Sequence, residues 1–121
     1  MTLSFVKPIL VPALVAAALA TPAVASAFWG GTVINVAPTD TLKIRAWPAA
    51  YSAVIDAEPD GANISLTGRC KNTTTNVSFR IDGGQSANWK YNKMKKPNVW
   101  CQIMTSSAQL GWARGKFIWP E

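Results

Sequence analysis

The side chains in this sequence whose types and spacing suit a chemical task are aromatic and basic, and the task they suit is binding. The chain has six tryptophans in 121 residues. Trp and Tyr bury a large area at a small cost in conformational entropy, so binding surfaces favour them. We therefore predict a ligand-binding set that consists of Trp47, Pro48, Tyr51, Trp89, Tyr91 and Trp112. Core packing is the alternative for each ring, and it is the one we favour for Trp112.

Lysines surround two of these rings. Trp89 and Tyr91 alternate with a group that we predict to bind anions: Lys90, Lys93, Lys95 and Lys96. Basic groups interleaved with rings suit a polyanion or a stacked base, and they suit an acidic protein surface equally. The alternative is that this stretch is a solvated, flexible loop that binds no ligand. The net charge of +6 agrees with an anionic partner, although it also simply favours solubility.

Catalytic groups are scarce. The chain has no His, so a Ser-His or Cys-His unit and an imidazole metal site are excluded. Asp56, Glu58 and Asp60 form one acidic cluster, which we interpret as solvated turn carboxylates rather than a glycosidase pair. We expect a protein that is not an enzyme and that holds no metal or cofactor.

The N-terminus has the layout of a secretory signal peptide. Lys7 is the only charge in the first 39 residues, an apolar stretch covers 9–20, and Ala25-Ser26-Ala27 offers a small-x-small cleavage site. A membrane anchor is the alternative, but a span needs about 20 apolar residues. We predict cleavage after Ala27, which gives a signal peptide at 1–27 and one domain at 28–121. The domain is expected to be periplasmic or secreted, without a transmembrane segment.

Two cysteines in an exported chain predict a disulfide between Cys70 and Cys101. A metal site or a reactive thiol is the alternative, and either would want a His partner that the chain lacks. The bond would close a loop of about 30 residues in a domain whose core is small.

Hydrophobic alternation predicts short strands. Leu42 and Ile44 alternate with Lys43 and Arg45, which is the pattern of a half-buried strand. Gly68 suggests a bulge. Asp82-Gly83-Gly84 suggests a hairpin turn between strands at 73–81 and 86–92. No helix of ordinary length is expected. The other predicted strands are 32–37, 41–46, 53–57, 62–70 and 100–105, after which a turn at 106–109 leads into 110–113, and 116–119 ends the chain.

Several spaced blocks resemble the bacterial SH3 domain (SH3b) family. They are Leu42, Ile44, Arg45, Pro48 and Tyr51, then Pro59-Asp60-Gly61, then Trp100, Ile103, Gly111, Trp112 and Ala113, and finally Phe117-Ile118. The resemblance covers about 32–118 apart from an insertion at 71–99. It implies an all-β fold, a small SH3-like barrel of five to seven short strands, here with an inserted hairpin or loop and one disulfide.

The resemblance also implies a function. Domains of this family bind cell-wall peptides or glycan, or mediate protein contacts. We therefore expect an exported binding module for a cell-wall fragment or an envelope protein. Two alternatives stay open: an interaction or inhibitor domain that acts through the basic insertion 71–99, and non-specific binding to a polyanion or an anionic surface. The export signal argues against nucleic acid as the partner.

Overall fold

The computed structural model describes residues 28–81 and 83–121. The predicted signal peptide lies outside these residues. The described chain consists mainly of short strands, with one α-helix and one 3₁₀ turn at Gly115–Phe117. The elements are β1 (Trp29–Val33), β2 (Leu42–Arg45), β3 (Val54–Glu58), β4 (Asn63–Asn72), β5 (Val77–Arg80), α1 (Ala87–Met94), β6 (Val99–Met104), β7 (Leu110–Arg114) and β8 (Ile118–Pro120). No helix in the described ranges is long and apolar enough to cross a membrane.

The strands form one sheet in which every described pairing is antiparallel. The order across the sheet is β3-β2-β7-β6-β4-β1-β8, and β5 pairs with β4. This confirms the all-β class. β3 and β8 lie at the two ends of the order, so the sheet is open, and the SH3-like barrel stays a prediction.

Strand β4 organises the sheet because it changes partner along its length. Its first half pairs with β1, its second half pairs with β5, and β6 follows it along the opposite edge. The change of partner occurs at a bulge between Leu66 and Cys70, where Gly68 has a φ of 93° that side chains rarely adopt. The predicted bulge is therefore confirmed.

The predicted disulfide joins β4 to β6. Cys70 and Cys101 lie directly opposite each other, with their Cα atoms 4.0 Å apart and the bond fully buried. The bond closes the excursion that leaves β4 and returns at β6. Around it, alternate strand residues form one core that includes Ile44, Leu66, Ile103 and Ile118.

The inserted segment differs from its prediction. The predicted return strand at 86–92 is wrong, because α1 covers these residues. Ser86 starts the helix: its hydroxyl accepts a hydrogen bond from the Trp89 amide at 3.2 Å, which satisfies one of the free N–H groups of the first turn. The four-residue spacing of Lys90 and Met94 places both on the buried face, although the stretch is short and polar.

The hairpin turn also lies elsewhere than expected. It connects β4 to β5 at residues 73–76, where Asn72 accepts from the amides of Thr74 and Thr75 and Asn76 has a φ of 62°. Asn tolerates this left-handed conformation better than most residues. The expected turn at 82–84 includes Asp82, which lies outside the described residues. The first strand likewise begins three residues before its predicted start, at Trp29.

The disulfide predicts a large change in stability. The double variant Cys70→Ala/Cys101→Ala should lose about 3–4 kcal/mol of unfolding free energy, because a closed loop of this length restricts the unfolded chain. Urea unfolding of the oxidised wild type and of the variant measures the difference. Wild-type protein treated with a reductant in denaturant is the matched control, and an unchanged urea midpoint would contradict the prediction.

Candidate functional site

The loop between β2 and β3 holds three of the predicted binding residues in a defined shape. Ser52 is buried and collects two hydrogen bonds: its hydroxyl accepts from the Trp47 amide at 2.9 Å, and its carbonyl accepts from Arg45 Nη1 at 2.8 Å. The Ala46 amide donates to the Ala53 carbonyl and closes the base of the loop. The loop is therefore tied to itself and to β2 before any ligand arrives.

This loop exposes large rings. Trp47 is 71% exposed and Tyr51 is 95% exposed, which is unusual for residues of this size. They lie beside a groove of about 500 Å³, which we call the loop groove. One wall is the loop itself, residues 47–51. The opposite wall consists of Lys71, Thr73, Asn76, Asn98, Trp100 and Arg114.

The opposite wall of the loop groove is aromatic and positively charged. Trp100 is almost fully buried, and the Arg114 guanidinium lies 5.0 Å from the centre of its ring in a cation–π contact. Lys71 supplies the second positive charge. No carboxylate lines the groove. The arrangement can therefore stack an apolar or ring-shaped group on the exposed aromatics and pair a negative group with Lys71 or Arg114.

A second depression of about 500 Å³ continues from the loop groove and shares Ala50, Trp100 and Arg114 with it. Its far side includes Asp40 and Lys43, which form an ion pair at 3.2 Å. A hydrogen bond from the Thr41 amide, and to a smaller extent the hydrogen bond and charge of Lys43, hold the pKa of Asp40 below its ordinary value. The two depressions together give a surface that suits an extended ligand.

The other predicted rings lie apart from the loop groove. Trp112 is half-buried on β7 and does not line it. Tyr91 packs against Trp119 with the ring centres 5.2 Å apart, and its hydroxyl donates to the Lys116 carbonyl at 2.9 Å. Tyr91 thus helps to attach α1 to the sheet. Trp89 is 40% exposed on the outer face of α1.

The four predicted anion-binding lysines are not all brought together. Lys90 is buried, and its Nζ donates to the Glu121 carbonyl at 3.3 Å, so the structure places this amine inside the molecule rather than on the surface. Lys93 and Lys96 are exposed and line a third groove, whereas Lys95 is exposed outside it. The described part of the chain contains no cluster of three or more metal-ligating side chains.

The acidic cluster anchors a turn. The interpretation as solvated carboxylates is wrong for Glu58, which is buried and accepts from the Ser106 amide at 2.7 Å and the Ser106 hydroxyl at 3.1 Å. Asp56 accepts from the Ser107 hydroxyl at 2.6 Å. These bonds attach the β6–β7 turn to β3, as a buried carboxylate requires satisfied lone pairs.

Sequence reasoning missed the wall opposite the loop, which includes Lys71, Asn98 and Arg114. Asn98 has a φ of 66°, and Asn before a strand is a weak sign of such a turn. Arg114 lies two residues after Trp112 on β7, and this spacing in a strand could have placed both side chains on the same face of the sheet. Nothing in the sequence near Lys71 indicates that it lines the same groove as the loop at 47–51.

No model of a known protein family matches the chain, and a search of curated proteins finds no significant match.

Because Asp56 anchors the β6–β7 turn as a carboxylate, we expect the stability of the fold to fall at low pH. Hydrogen bonds from Ser107, Thr105 and the Ala57 amide hold the pKa of Asp56 below its ordinary value of 3.8. Because the folded pKa is the lower one, the contribution is complete above the unfolded pKa and is lost as pH falls through the folded pKa. Asp56→Asn should therefore flatten the loss of stability below about pH 4.

Urea midpoints measured along a pH series test this expectation. Ser107→Ala removes the principal donor and is the matched variant, so it should flatten the same part of the curve. If the midpoints of both variants followed the wild-type slope, the carboxylate would not be the group that titrates.

Proposed function

We propose that the protein is an exported, non-enzymatic binding module whose loop groove takes a cell-wall fragment. The observation that carries this proposal is the pair of exposed rings, Trp47 and Tyr51, on a loop that Ser52 and Arg45 hold in place. A loop that is ordered in advance loses little entropy on binding. Rings on such a loop are expected to act as anchors for the ligand.

The charge of the groove favours a peptide that carries a carboxylate. Lys71 and Arg114 are the charged residues of the loop groove, and no acid opposes them. Cell-wall peptides combine carboxylates with small apolar side chains, so they match both the cationic wall and the exposed rings. The continuation of the groove past Trp100 suits a ligand longer than a single residue.

The likeness to bacterial SH3 domains belongs to the same proposal. Its quoted blocks fall on neighbouring elements of the sheet: Leu42, Ile44 and Arg45 on β2, Gly111 and Trp112 on β7, and Ile103 on β6. The buried disulfide supports export to an oxidising compartment, either the periplasm or the outside of the cell.

Truncation of the two exposed rings tests the groove. Trp47→Ala/Tyr51→Ala should lower the apparent affinity for purified peptidoglycan by at least about tenfold, since an anchor residue contributes roughly 2 kcal/mol. Sedimentation with insoluble peptidoglycan, at low and at high salt, measures retention. The urea midpoint should change little because both rings are exposed.

Leu110→Ala is the control for loss of exposed apolar surface, since Leu110 is 49% exposed and does not line the loop groove. It should be retained like the wild type. Equal retention of the ring variant and the wild type would remove the loop groove from the proposal. Retention that disappears at high salt in every protein would instead indicate non-specific attraction to the anionic polymer.

A substitution at Lys71 tests whether the groove binds the peptide or the glycan part of the cell wall. Lys71→Gln should weaken retention by about fivefold if the ligand presents a carboxylate, which corresponds to roughly 1 kcal/mol for a partly exposed ion pair. A neutral glycan would bind both proteins equally. Lys95→Gln, which removes the same charge from an exposed lysine outside both the loop groove and its continuation, is the control in the same sedimentation assay.

A further inference from the structure

The inserted segment forms a groove of its own, which lies outside the loop groove. Its volume is about 490 Å³, and every residue that lines it falls between 72 and 99. Val77, Phe79, Trp89 and Val99 give it an apolar surface, and its lining also includes three cations, which are Arg80, Lys93 and Lys96. We call it the basic groove. It has no lining residue in common with the loop groove.

The basic groove is open, yet its walls are fixed. Val77 is 56% exposed and Trp89 is 40% exposed, so apolar surface faces solvent. One wall is β5, which pairs with β4 next to the disulfide. The other wall is α1, which the Tyr91–Trp119 contact and the buried Met94 attach to the rest of the domain. Gly115 allows this close approach, because a Cβ there would collide with the Met94 carbonyl.

The charge around this groove is strongly positive. Segment 71–99 contains six basic residues and one acidic residue, Asp82. Lys71 lines the loop groove and Lys90 is buried, whereas Arg80, Lys93 and Lys96 line the basic groove. Lys93 Nζ lies 5.4 Å from the centre of the Trp89 ring, so the cation is held over the apolar surface. In the described ranges no carboxylate lies within ion-pair distance of Lys93 or Lys96.

From these observations we propose that the basic groove docks an acidic segment of a partner protein that carries an apolar side chain as its anchor. The anchor lies between Val77 and Trp89, and the flanking carboxylates pair with Lys93 and Lys96. A groove lined by aliphatic, aromatic and cationic side chains is the complement of such a segment. The partner is a protein of the compartment to which the chain is exported.

A nucleic acid is a poorer match for this surface. Sites for single strands combine several exposed rings with a track of cations along the backbone. Here Trp89 is the exposed ring, and the remaining surface is mainly aliphatic or half-buried. A single anchor with a few charges beside it is a feature of peptide recognition.

The two grooves lie on either side of one turn. Thr73 and Asn76 line the loop groove, whereas Asn72 and Thr75 line the basic groove. One module can therefore hold a cell-wall fragment and an acidic protein segment at the same time. The second site goes beyond the proposed cell-wall function and does not require it.

Defined probes test the docking proposal. Fluorescence anisotropy of the purified, oxidised protein is measured with a short labelled peptide rich in Asp and Glu around a central Leu. Two matched peptides replace either the Leu by Ala or the acidic residues by Asn and Gln. The parent peptide should bind about tenfold more tightly than either relative, because the anchor and the charges both contribute.

Two double variants locate the site. Lys93→Gln/Lys96→Gln should weaken binding of the parent peptide by about tenfold. Lys95→Gln/Lys116→Gln removes the same charge from exposed lysines outside the basic groove and should bind like the wild type. Equal weakening in both variants would overturn the proposal, because it would show attraction to the overall charge.

Two further probes cover the other classes of anion. A labelled single-stranded oligonucleotide and vesicles that contain anionic lipid are titrated under the same conditions. Tighter binding of either probe than of the parent peptide, lost in Lys93→Gln/Lys96→Gln, would assign the groove to that class and overturn the peptide proposal. Equal binding of the parent and the Leu→Ala peptide would overturn the assignment of an apolar anchor.

Discussion

The covalent link between Cys70 and Cys101 lies where the sheet divides. Strand β4 leaves β1 at the Gly68 bulge and takes β5 as its new neighbour, while β6 continues along its other edge. The disulfide joins β4 to β6 just after this point, inside the core. Both grooves are built from the chain that follows, at Lys71 and Thr73 for one and at Asn72 and Thr75 for the other. The position of each groove therefore depends on this pair of strands.

The two grooves hold their exposed apolar side chains in place in different ways. The loop groove exposes its rings on a short loop, and the hydrogen bonds of Ser52 remove the freedom that such a loop would otherwise have. The basic groove instead places its apolar side chains on a strand and a helix that the core supports. Neither groove is lined by a carboxylate, and both are lined by basic side chains, so both surfaces are positively charged.

Local patterns in the sequence predicted those parts of the fold that depend on neighbouring residues. Alternation at Leu42 and Ile44 gave the correct strand, and the loop with Trp47 and Tyr51 lies where Pro48 indicates. The patterns failed where distant contacts decide. Helix α1 is short and polar, and it persists because Tyr91 and Met94 pack against the end of the chain, an effect that propensity does not describe. The burial of Lys90 and Glu58 depends on partners 31 and 48 residues away.

An NMR titration can show whether a cell-wall ligand binds in the loop groove that we propose as its site. Backbone amide signals of the isotope-labelled protein are followed as soluble peptidoglycan fragments are added. A ligand in the loop groove should shift the signals of the residues that line it, which are 47, 49–51, 71, 73, 76, 98, 100 and 114. Shifts confined to Val77, Trp89 and Lys93, or no shifts at saturating ligand, would contradict the proposal.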